Sequence, residues 1–86
     1  MKNKKYNMTD LNNVMESLLA ENGCPWDKVQ THETLKNYLI EESYEVVEAI
    51  DNKDSENLCE ELGDVLFQII FHSKLAEREN KFDFSD

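Results

Sequence analysis

The sequence predicts an all-α fold, an antiparallel helical bundle formed by one small domain. Its 86 residues include only two glycines and one proline, too few for the many turns of an all-β fold. Three stretches repeat apolar residues every three or four positions, which is the spacing of a helix that buries one face. Because a core of this size is thin, we expect a metal ion, a partner chain or very regular packing to complete it.

The first predicted helix begins after Thr9, its expected N-cap, and runs to about Glu21. Gly23 is expected to end this helix, and Pro25 supports that end. The apolar residues recur at helical spacing: Leu11, Val14, Met15, Leu18 and Leu19. The segment that follows, NGCPWDKVQ, is predicted to be a loop.

The second and third predicted helices are longer and are joined by a short turn. Thr31 is the expected N-cap of the second helix, which covers about residues 32–51. Asp54 or Ser55 caps the third helix, which covers about residues 56–79. Because their connection is short, these two helices should lie antiparallel.

The two ends of the chain carry no predicted helix. Residues 1–7 form a short basic stretch that we expect to be a flexible tail, and residues 8–86 form the single domain. The last segment, NKFDFSD, is predicted to be irregular, although Ser85 and Asp86 resemble the N-cap and first turn of another helix. We therefore expect the chain to be cut before a further C-terminal helix.

The composition restricts the possible partners. Nineteen acids against nine bases give a formal charge of −10, which would repel the phosphates of a nucleic acid. The N-terminus is too short and polar for a signal peptide, and no apolar run approaches the length of a membrane span. Cys24 and Cys59 form no CxxC pair, so neither a disulfide framework nor a zinc site is expected. We expect a cytoplasmic protein that binds neither nucleic acid nor membranes.

Acidic residues on the second predicted helix lie beside its apolar stripe. At about 100° per residue from Glu41, that stripe falls between about 120° and 180°. It contains Leu35, Leu39, Val46 and Ile50. Glu42 falls at about 100°, inside the edge of the stripe, and Glu45 at about 40°, on its shoulder. Glu42 should therefore face the core boundary, whereas Glu41 and Glu48 lie towards solvent.

The third predicted helix carries a matching polar ridge. This helix is apolar almost all round, which indicates burial on several sides. Glu61, Asp64 and Gln68 follow one another at helical spacing and form the ridge. Gly63 costs about 1 kcal/mol in the middle of a helix relative to alanine. It either permits a close approach or serves ordinary packing.

Facing each other across the antiparallel pair, the two helices would bring four carboxylates together: those of Glu42, Glu45, Glu61 and Asp64. Two carboxylates about 5 Å apart repel by roughly 3 kcal/mol at an effective dielectric constant of about 20. Several such pairs would rival the stability of a small domain, about 5–15 kcal/mol. Such a patch needs bound protons or a cation, and oxygen ligands alone favour Mg²⁺, with Mn²⁺ also possible.

Other functions are compatible with the same acids. A charge run is usually a solvated face, so one alternative is a catalytically inactive acidic helical module for dimerisation or interaction. Another is passive binding of Ca²⁺. A di-iron bundle is not expected, because neither His32 nor His72 completes a Glu-x-x-His pair.

Several motifs together resemble one family. The loop CPWDKVQTH, the EExxE motif of residues 41–45, the ExxD motif of residues 61–64 and the later FDF follow one another in order. In order and spacing they resemble the MazG family of nucleoside triphosphate pyrophosphohydrolases over about residues 8–84. The resemblance implies a helical bundle that forms a homodimer or higher homo-oligomer. It also implies Mg²⁺-dependent hydrolysis of a nucleoside triphosphate to the monophosphate and pyrophosphate.

The resemblance assigns roles to the motif residues. The metal ligands would be Glu42 and Glu45 of the first motif with Glu61 and Asp64 of the second. Glu41 fills the first position of EExxE, where it would bind a further metal or orient water, and Glu41 and Glu45 are the candidate general bases. Four further residues are candidate contacts to the nucleotide: Trp26, Gln30, His32 and Lys36. Their alternative roles are an aromatic anchor for Trp26, helix-start contacts for Gln30 and His32, and a surface charge for Lys36.

Overall fold

The computed structural model describes residues 7–86, which contain four helices and no strand. The helices are α1 (Met8–Leu19), α2 (Pro25–Lys28), α3 (His32–Asp51) and α4 (Ser55–Arg78). The packing joins α3 to α4, α1 to α4 and α1 to α2. This confirms the all-α prediction. The predicted tail, residues 1–7, lies outside the described residues except for Asn7.

The start of α1 differs from the prediction. Asn7, and not Thr9, is the N-cap: its side chain accepts a hydrogen bond of 2.9 Å from the N–H of Asp10. The carboxylate of Asp10 in turn accepts the N–H of Asn7 at 3.1 Å. This reciprocal capping box satisfies two N–H groups at once and fixes the start of the helix two residues earlier. The helix also ends at Leu19, two residues before the predicted end.

The predicted loop contains one helical turn, α2, which the sequence reading missed. Pro25 is the first residue of this turn, where its missing N–H removes no helical hydrogen bond. The side chain of Asp27 is buried, and the ammonium of Lys28 donates to the carbonyl of Glu21. The turn therefore fixes Trp26 on the surface, in contact with Tyr38 of α3.

The ends of α3 and α4 are close to the predicted positions. Thr31 caps α3, and its hydroxyl oxygen accepts the N–H of Thr34 at 3.2 Å. Asp54 caps α4, and its carboxylate accepts the N–H of Asn57 at 3.1 Å. In the connecting turn Lys53 adopts a positive φ of 56°. The turn reverses the chain, so that α4 runs antiparallel to α3 as predicted.

The core lies at one end of this helical pair. Its buried cluster joins α1, α3 and the second half of α4: Met15, Leu19, Leu35, Ile70 and Phe71. The buried residues of α4 all lie in its second half: Gln68, Ile70, Phe71, Lys74 and Ala76. Leu62 in the first half and Ile69 in the second half remain about half exposed. Burial of α4 on several sides is therefore found only in its second half. Ile50, predicted in the buried stripe of α3, is 56% exposed.

A buried lysine ties α1 to α4. Lys74 is only 4% exposed, and its ammonium lies 3.5 Å from a carboxylate oxygen of Glu16 and 3.3 Å from one of Glu77. Arg78 adds a second ion pair with Glu16 at 3.7 Å and donates to the carbonyl of Leu19 at 3.1 Å. Both cations of this half of α4 are therefore paired with acids, Lys74 in a buried position and Arg78 at the surface.

The remaining segment is irregular, as predicted. The carboxylate of Asp83 accepts the N–H of Ser85 at 2.9 Å. The carboxylate of Asp86 accepts the N–H of Asp83 at 3.0 Å. Among the described residues, no helix has both the length and the apolar character to cross a bilayer.

A hydrogen bond between two imidazoles joins the start of α3 to α4. The Nδ1 atoms of His32 and His72 lie 2.7 Å apart, and the rings are nearly parallel, at 9°. The ring centroids are 5.0 Å apart. This distance exceeds the Nδ1–Nδ1 distance by about the width of one ring, so the two rings meet edge to edge and do not lie face to face. One imidazole must therefore donate while the other accepts. The Nε2 of His72 is buried and has no partner among residues 7–86.

The two glycines should respond to alanine in opposite ways. A methyl group on Gly23 would overlap the carbonyl oxygens of Ser17 and Leu18, because the chain turns back there over the end of α1. Gly23→Ala should lower the free energy of unfolding by about 1–3 kcal/mol. A methyl group on Gly63 would meet nothing within 4 Å. Gly63→Ala should therefore raise the free energy of unfolding by about 0.5–1 kcal/mol. Urea denaturation at low protein concentration measures both, and changes of the same sign would contradict this account.

The imidazole pair should make stability depend on pH. The pKa of His72 is lowered, first because burial disfavours the imidazolium and second because His32 repels it. Below the ordinary histidine pKa of about 6.5, the unfolded chain therefore binds more protons than the folded chain. The contribution of neutral His72 to the free energy of unfolding is present above about pH 6.5 and is lost as the pH falls through its lowered pKa.

The matched variant is His72→Phe, which keeps an aromatic ring and removes the titration. Denaturation of both proteins between about pH 5 and 8 should give a stability difference that shrinks or reverses towards acid. A difference that stays constant over this range would show that His72 does not titrate as described.

Candidate functional site

Three carboxylates converge between α3 and α4. Glu42, Glu45 and Glu61 each offer an oxygen, and these oxygens all lie within 4.8 Å of one another. Glu42 and Glu45 are one helical turn apart on α3, and Glu61 comes from α4 across the antiparallel contact. Glu42 and Glu61 are partly buried, whereas Glu45 is exposed. We refer to these three residues as the carboxylate cluster.

A buried amide holds one member of the cluster. The Nε2 of Gln68 donates to the Oε1 of Glu42 at 3.3 Å. Gln68 is only 7% exposed, and its Oε1 is buried without a partner within residues 7–86. The amide orientation follows from the negative charge of Glu42, which favours the NH₂ group. Gln68 therefore fixes the Glu42 carboxylate and leaves an unpaired oxygen at the same helical interface.

The pKa values of two members of the carboxylate cluster, Glu42 and Glu61, are raised. Burial is the largest cause for Glu42, followed by repulsion from Asp64, while the hydrogen bond from Gln68 acts in the opposite direction. Smaller repulsions from Glu45 and Glu41 also raise the pKa of Glu42. Mutual repulsion was the expected cause, but desolvation exceeds it here.

Glu61 shows the same direction from its own neighbours. Desolvation is the first cause of its raised pKa, and repulsion by and hydrogen bonding with Glu45 and Asp64 follow. Asp64 is exposed and is not one of the three residues that converge within 4.8 Å, yet its charge acts on both Glu42 and Glu61. The chain therefore concentrates negative charge that a cation would stabilise.

The donor set fits a small hard cation. All three converging atoms are carboxylate oxygens, and no histidine or cysteine belongs to the group. Oxygen ligands suit Mg²⁺ and Mn²⁺ better than the softer metals that prefer nitrogen and sulfur. The buried, unpaired oxygen of Gln68 adds another acceptor of the same chemical type nearby.

The predicted nucleotide contacts lie at different places. Trp26 is half exposed, and its carbonyl accepts a hydrogen bond of 2.9 Å from the side chain of Gln30. His32 is engaged with His72 through the imidazole bond. Lys36 is exposed, but it is nine residues from Glu45, so the two side chains leave α3 in directions about 180° apart. The structure therefore does not bring Lys36 to the carboxylate cluster.

The sequence reading missed two residues next to this site. Gln68 was recognised as part of the polar ridge of α4 but not as the partner of Glu42. The sequence feature that indicates Gln68 is an amide side chain at helical spacing from Glu61 within an otherwise apolar run. Tyr38 is 45% exposed and lies one turn before Glu42 on α3.

Comparison with known proteins adds independent information. The MazG nucleotide pyrophosphohydrolase domain matches residues 30–86. The Thermotoga maritima nucleoside triphosphate pyrophosphohydrolase/pyrophosphatase MazG is 51% identical over 77 residues, which cover 90% of this chain and 30% of that protein. The Escherichia coli K12 nucleoside triphosphate pyrophosphohydrolase is 53% identical over 66 residues, covering 77% of this chain and 25% of that protein.

A further relative is longer still. The Bacillus subtilis protein named uncharacterized protein YabN is 51% identical over 73 residues, which cover 85% of this chain and 15% of that protein. The chain thus spans between 15% and 30% of the length of these three relatives. The match to the domain covers both acidic motifs, and the identity extends over most of the chain. The chain belongs to the MazG nucleotide pyrophosphohydrolase domain family.

Proposed function

We propose that this domain hydrolyses nucleoside triphosphates to the monophosphate and pyrophosphate with a bound divalent cation, Mg²⁺ or alternatively Mn²⁺. The observation that carries the proposal is the convergence of oxygens from Glu42, Glu45 and Glu61 within 4.8 Å. Relatives named nucleoside triphosphate pyrophosphohydrolase, about half identical to this chain, support the choice of substrate class.

Glu42, Glu45 and Glu61 would hold the cation, with Asp64 as the fourth candidate ligand. The pKa values of Glu42 and Glu61 are raised, which indicates that their ionised forms are disfavoured and that a bound cation would stabilise them. The ligands come from two helices that are packed against each other, so the cluster exists before a substrate binds.

The reaction would break the bond between the α- and β-phosphates after attack of water at the α-phosphorus. Mg²⁺ bound at the cluster would supply charge neutralisation for the phosphate oxygens and a lowered pKa for a bound water. Glu41 and Glu45 are exposed on α3 beside the partly buried ligands, so they are the candidates to accept the proton of that water. Gln68 keeps Glu42 oriented throughout.

The remaining nucleotide contacts stay predictions. His32 and Gln30 already bond within the chain, and Lys36 points away from Glu45. Residues other than Lys36 must therefore compensate the phosphate charge, which increases the importance of the cation. We also propose the cytoplasm as the location of the domain, since nucleoside triphosphates are made and used there.

We further propose that the chain forms a homodimer, or a higher homo-oligomer, through an apolar face of α3. A groove of about 390 Å³ on this face is lined by Leu39, Ile40, Ser43, Tyr44 and Val47. Ile40, Tyr44 and Val47 are each more than half exposed. At about 100° per residue, these three side chains lie on the opposite side of α3 from Glu42.

A second copy of the chain is the occupant that fits this face. Exposed apolar residues continue on α4 at Leu62 and Ile69, and Gly63 adds no side chain. The buried core of the single chain contains few large side chains, so burying this face would supply the apolar contact that the fold lacks.

The metal requirement is tested by titrating the chain with Mg²⁺ and measuring thermal stability and pyrophosphate release from a panel of nucleoside triphosphates. At about 100 times the dissociation constant, the ion should add about 2.7 kcal/mol of stability. Glu42→Gln should abolish this stabilisation and lower turnover by about 10²–10³-fold. The stabilisation by Mg²⁺ should be smaller at acid pH, because protons compete with the ion for the carboxylates whose pKa is raised.

The matched control is Glu48→Gln, the same change on an exposed position of α3 outside the carboxylate cluster. It should leave both measurements unchanged. Metal uptake without pyrophosphate release would favour passive Ca²⁺-type binding. No stabilisation by any divalent ion would favour the acidic interaction module.

The proposed dimer is tested by Val47→Glu, which introduces a charge into the apolar groove. Light scattering should give the wild-type chain twice its monomer mass of 10.1 kDa and the variant the monomer mass. The control is Asn13→Glu at an exposed position of α1, and this variant should remain dimeric. A wild-type chain that is monomeric at every concentration would refute the dimer.

A further inference from the structure

We propose that Gln68 determines which divalent cation the carboxylate cluster prefers, because its amide occupies one oxygen of Glu42 and leaves the other oxygen for the ion. This inference rests on the proposed function, since it concerns the cation that the domain would use. The Nε2 of Gln68 donates to the Oε1 of Glu42 at 3.3 Å. Gln68 is not among the residues whose oxygens converge. It is therefore a positioning residue that acts on the ion through Glu42.

Gln68 approaches Glu42 from the side away from the other two carboxylates. Because α3 and α4 are antiparallel, the end of α3 lies beside the start of α4. Glu45 follows Glu42 on α3 and lies about 4.5 Å closer to that shared end. Glu61 precedes Gln68 on α4 and lies about 10 Å closer to it. The amide therefore holds one oxygen of Glu42 without entering the space between the three carboxylates.

Packing alone does not account for an amide at this position. Gln68 is only 7% exposed, and its Oε1 is buried without a partner within residues 7–86. A buried amide oxygen without a hydrogen bond is unfavourable, and a methionine side chain would fill a similar volume without that cost. What the amide adds is its hydrogen bond to a charged oxygen, which is stronger than one between neutral groups. The presence of Gln68 is therefore explained by its effect on Glu42.

Glu42 is the member of the carboxylate cluster whose position is fixed. Its side chain is partly buried and bonded to Gln68, whereas the side chain of Glu45 is exposed. Glu42 cannot turn both of its oxygens towards the other carboxylates without breaking the bond to Gln68. The free oxygens of the cluster are thus fewer than three carboxylates could offer.

The number of free oxygens separates Mg²⁺ from Ca²⁺. Mg²⁺ is small, keeps several waters and is bound through one or two carboxylates in near-ideal octahedral geometry. Ca²⁺ takes about six to eight oxygens and accepts both oxygens of one carboxylate. A Glu42 that offers one oxygen therefore suits Mg²⁺ and disfavours the larger ion. Hydrogen bonds to ligating carboxylates affect metal affinity by about 10- to 100-fold.

The test measures ion affinity without nucleotide, so that it does not depend on turnover. Gln68→Met keeps the length of the side chain and removes the amide. Calorimetry should show Mg²⁺ affinity weakened by about 10- to 100-fold. Affinity for Ca²⁺ should stay the same or increase, because the released oxygen of Glu42 becomes available to it. The preference for Mg²⁺ over Ca²⁺ should thus fall by at least the factor that Mg²⁺ loses.

A second variant and a matched control accompany this measurement. Gln68→Glu keeps the size of the side chain, cannot donate when ionised and adds an oxygen, so it should also shift the preference towards Ca²⁺. Asn37→Met makes the same kind of change, amide to thioether, at an exposed position of α3. Asn37 lies about 140° around the helix from Glu42. This control should leave the affinities for both ions unchanged.

The wild-type chain provides a further readout by NMR. The side-chain NH₂ of Gln68 should exchange slowly with water, because it is buried and bonded to Glu42. Saturation with Mg²⁺ should shift the resonances of Glu42 and leave this protection intact. Rapid exchange in the Mg²⁺-saturated protein would show that the ion displaces the amide, and it would overturn the inference.

The outcomes distinguish this inference from the proposed function. Equal weakening of Mg²⁺ and Ca²⁺ binding in both variants would mean that Gln68 only supports the packing, and it would overturn the selectivity role alone. Unchanged affinities for both ions would overturn that role as well. A wild-type chain that binds neither ion would overturn the proposed function and the role of Gln68 with it.

Discussion

The contact between α3 and α4 is the constraint on which the rest of the structure depends. It brings Glu42 and Glu45 against Glu61 at distances that water alone would not favour, because like charges repel and burial disfavours the ionised form. The opposing stability comes from the apolar cluster around Met15, Leu35 and Phe71, which lies nearer the start of α3. The fold thus separates the part that holds it together from the part that carries charge, as expected where a functional site is locally unfavourable.

A polar seam runs between the two helices from the charged end to the core end. Gln68 bonds to Glu42 in its middle, and the imidazoles of His32 and His72 meet beyond it. Each of these pairs is directional, so it fixes how far α4 can slide along α3, which apolar contacts alone do not. The register of the carboxylates therefore follows from hydrogen bonds as well as from packing. The two buried atoms without a partner in residues 7–86, the Oε1 of Gln68 and the Nε2 of His72, both belong to this seam.

Local rules account for what the sequence predicted, and long-range contacts for what it missed. The sequence predicts Thr31 as one cap and Asp54 or Ser55 as the other, because a cap bonds within three residues of itself, and the structure has Thr31 and Asp54. The prediction of Thr9 as the cap of α1 is wrong, because asparagine is also a favourable N-cap residue. The reciprocal hydrogen bonds between Asn7 and Asp10 select Asn7. The turn of α2 was missed because four residues carry no periodicity, while the burial of Asp27 depends on the folded chain. Helical spacing predicted that Glu42, Glu45 and Glu61 converge, and the same spacing would already have separated Lys36 from Glu45.

The charge of the chain decides in which form a triphosphate can approach it. With a formal charge of −10, the domain would repel a free nucleotide, and the carboxylate cluster adds to that repulsion. Lys74 and Arg78 do not offset this negative charge at the carboxylate cluster, because both are paired with Glu16. Under the proposed function, a nucleotide that arrives with its cation would carry less charge and would bring an ion that the carboxylate cluster can bind. Under the proposed function the metal would contribute to recognition as well as to chemistry, so affinity for the nucleotide and affinity for the ion would rise together.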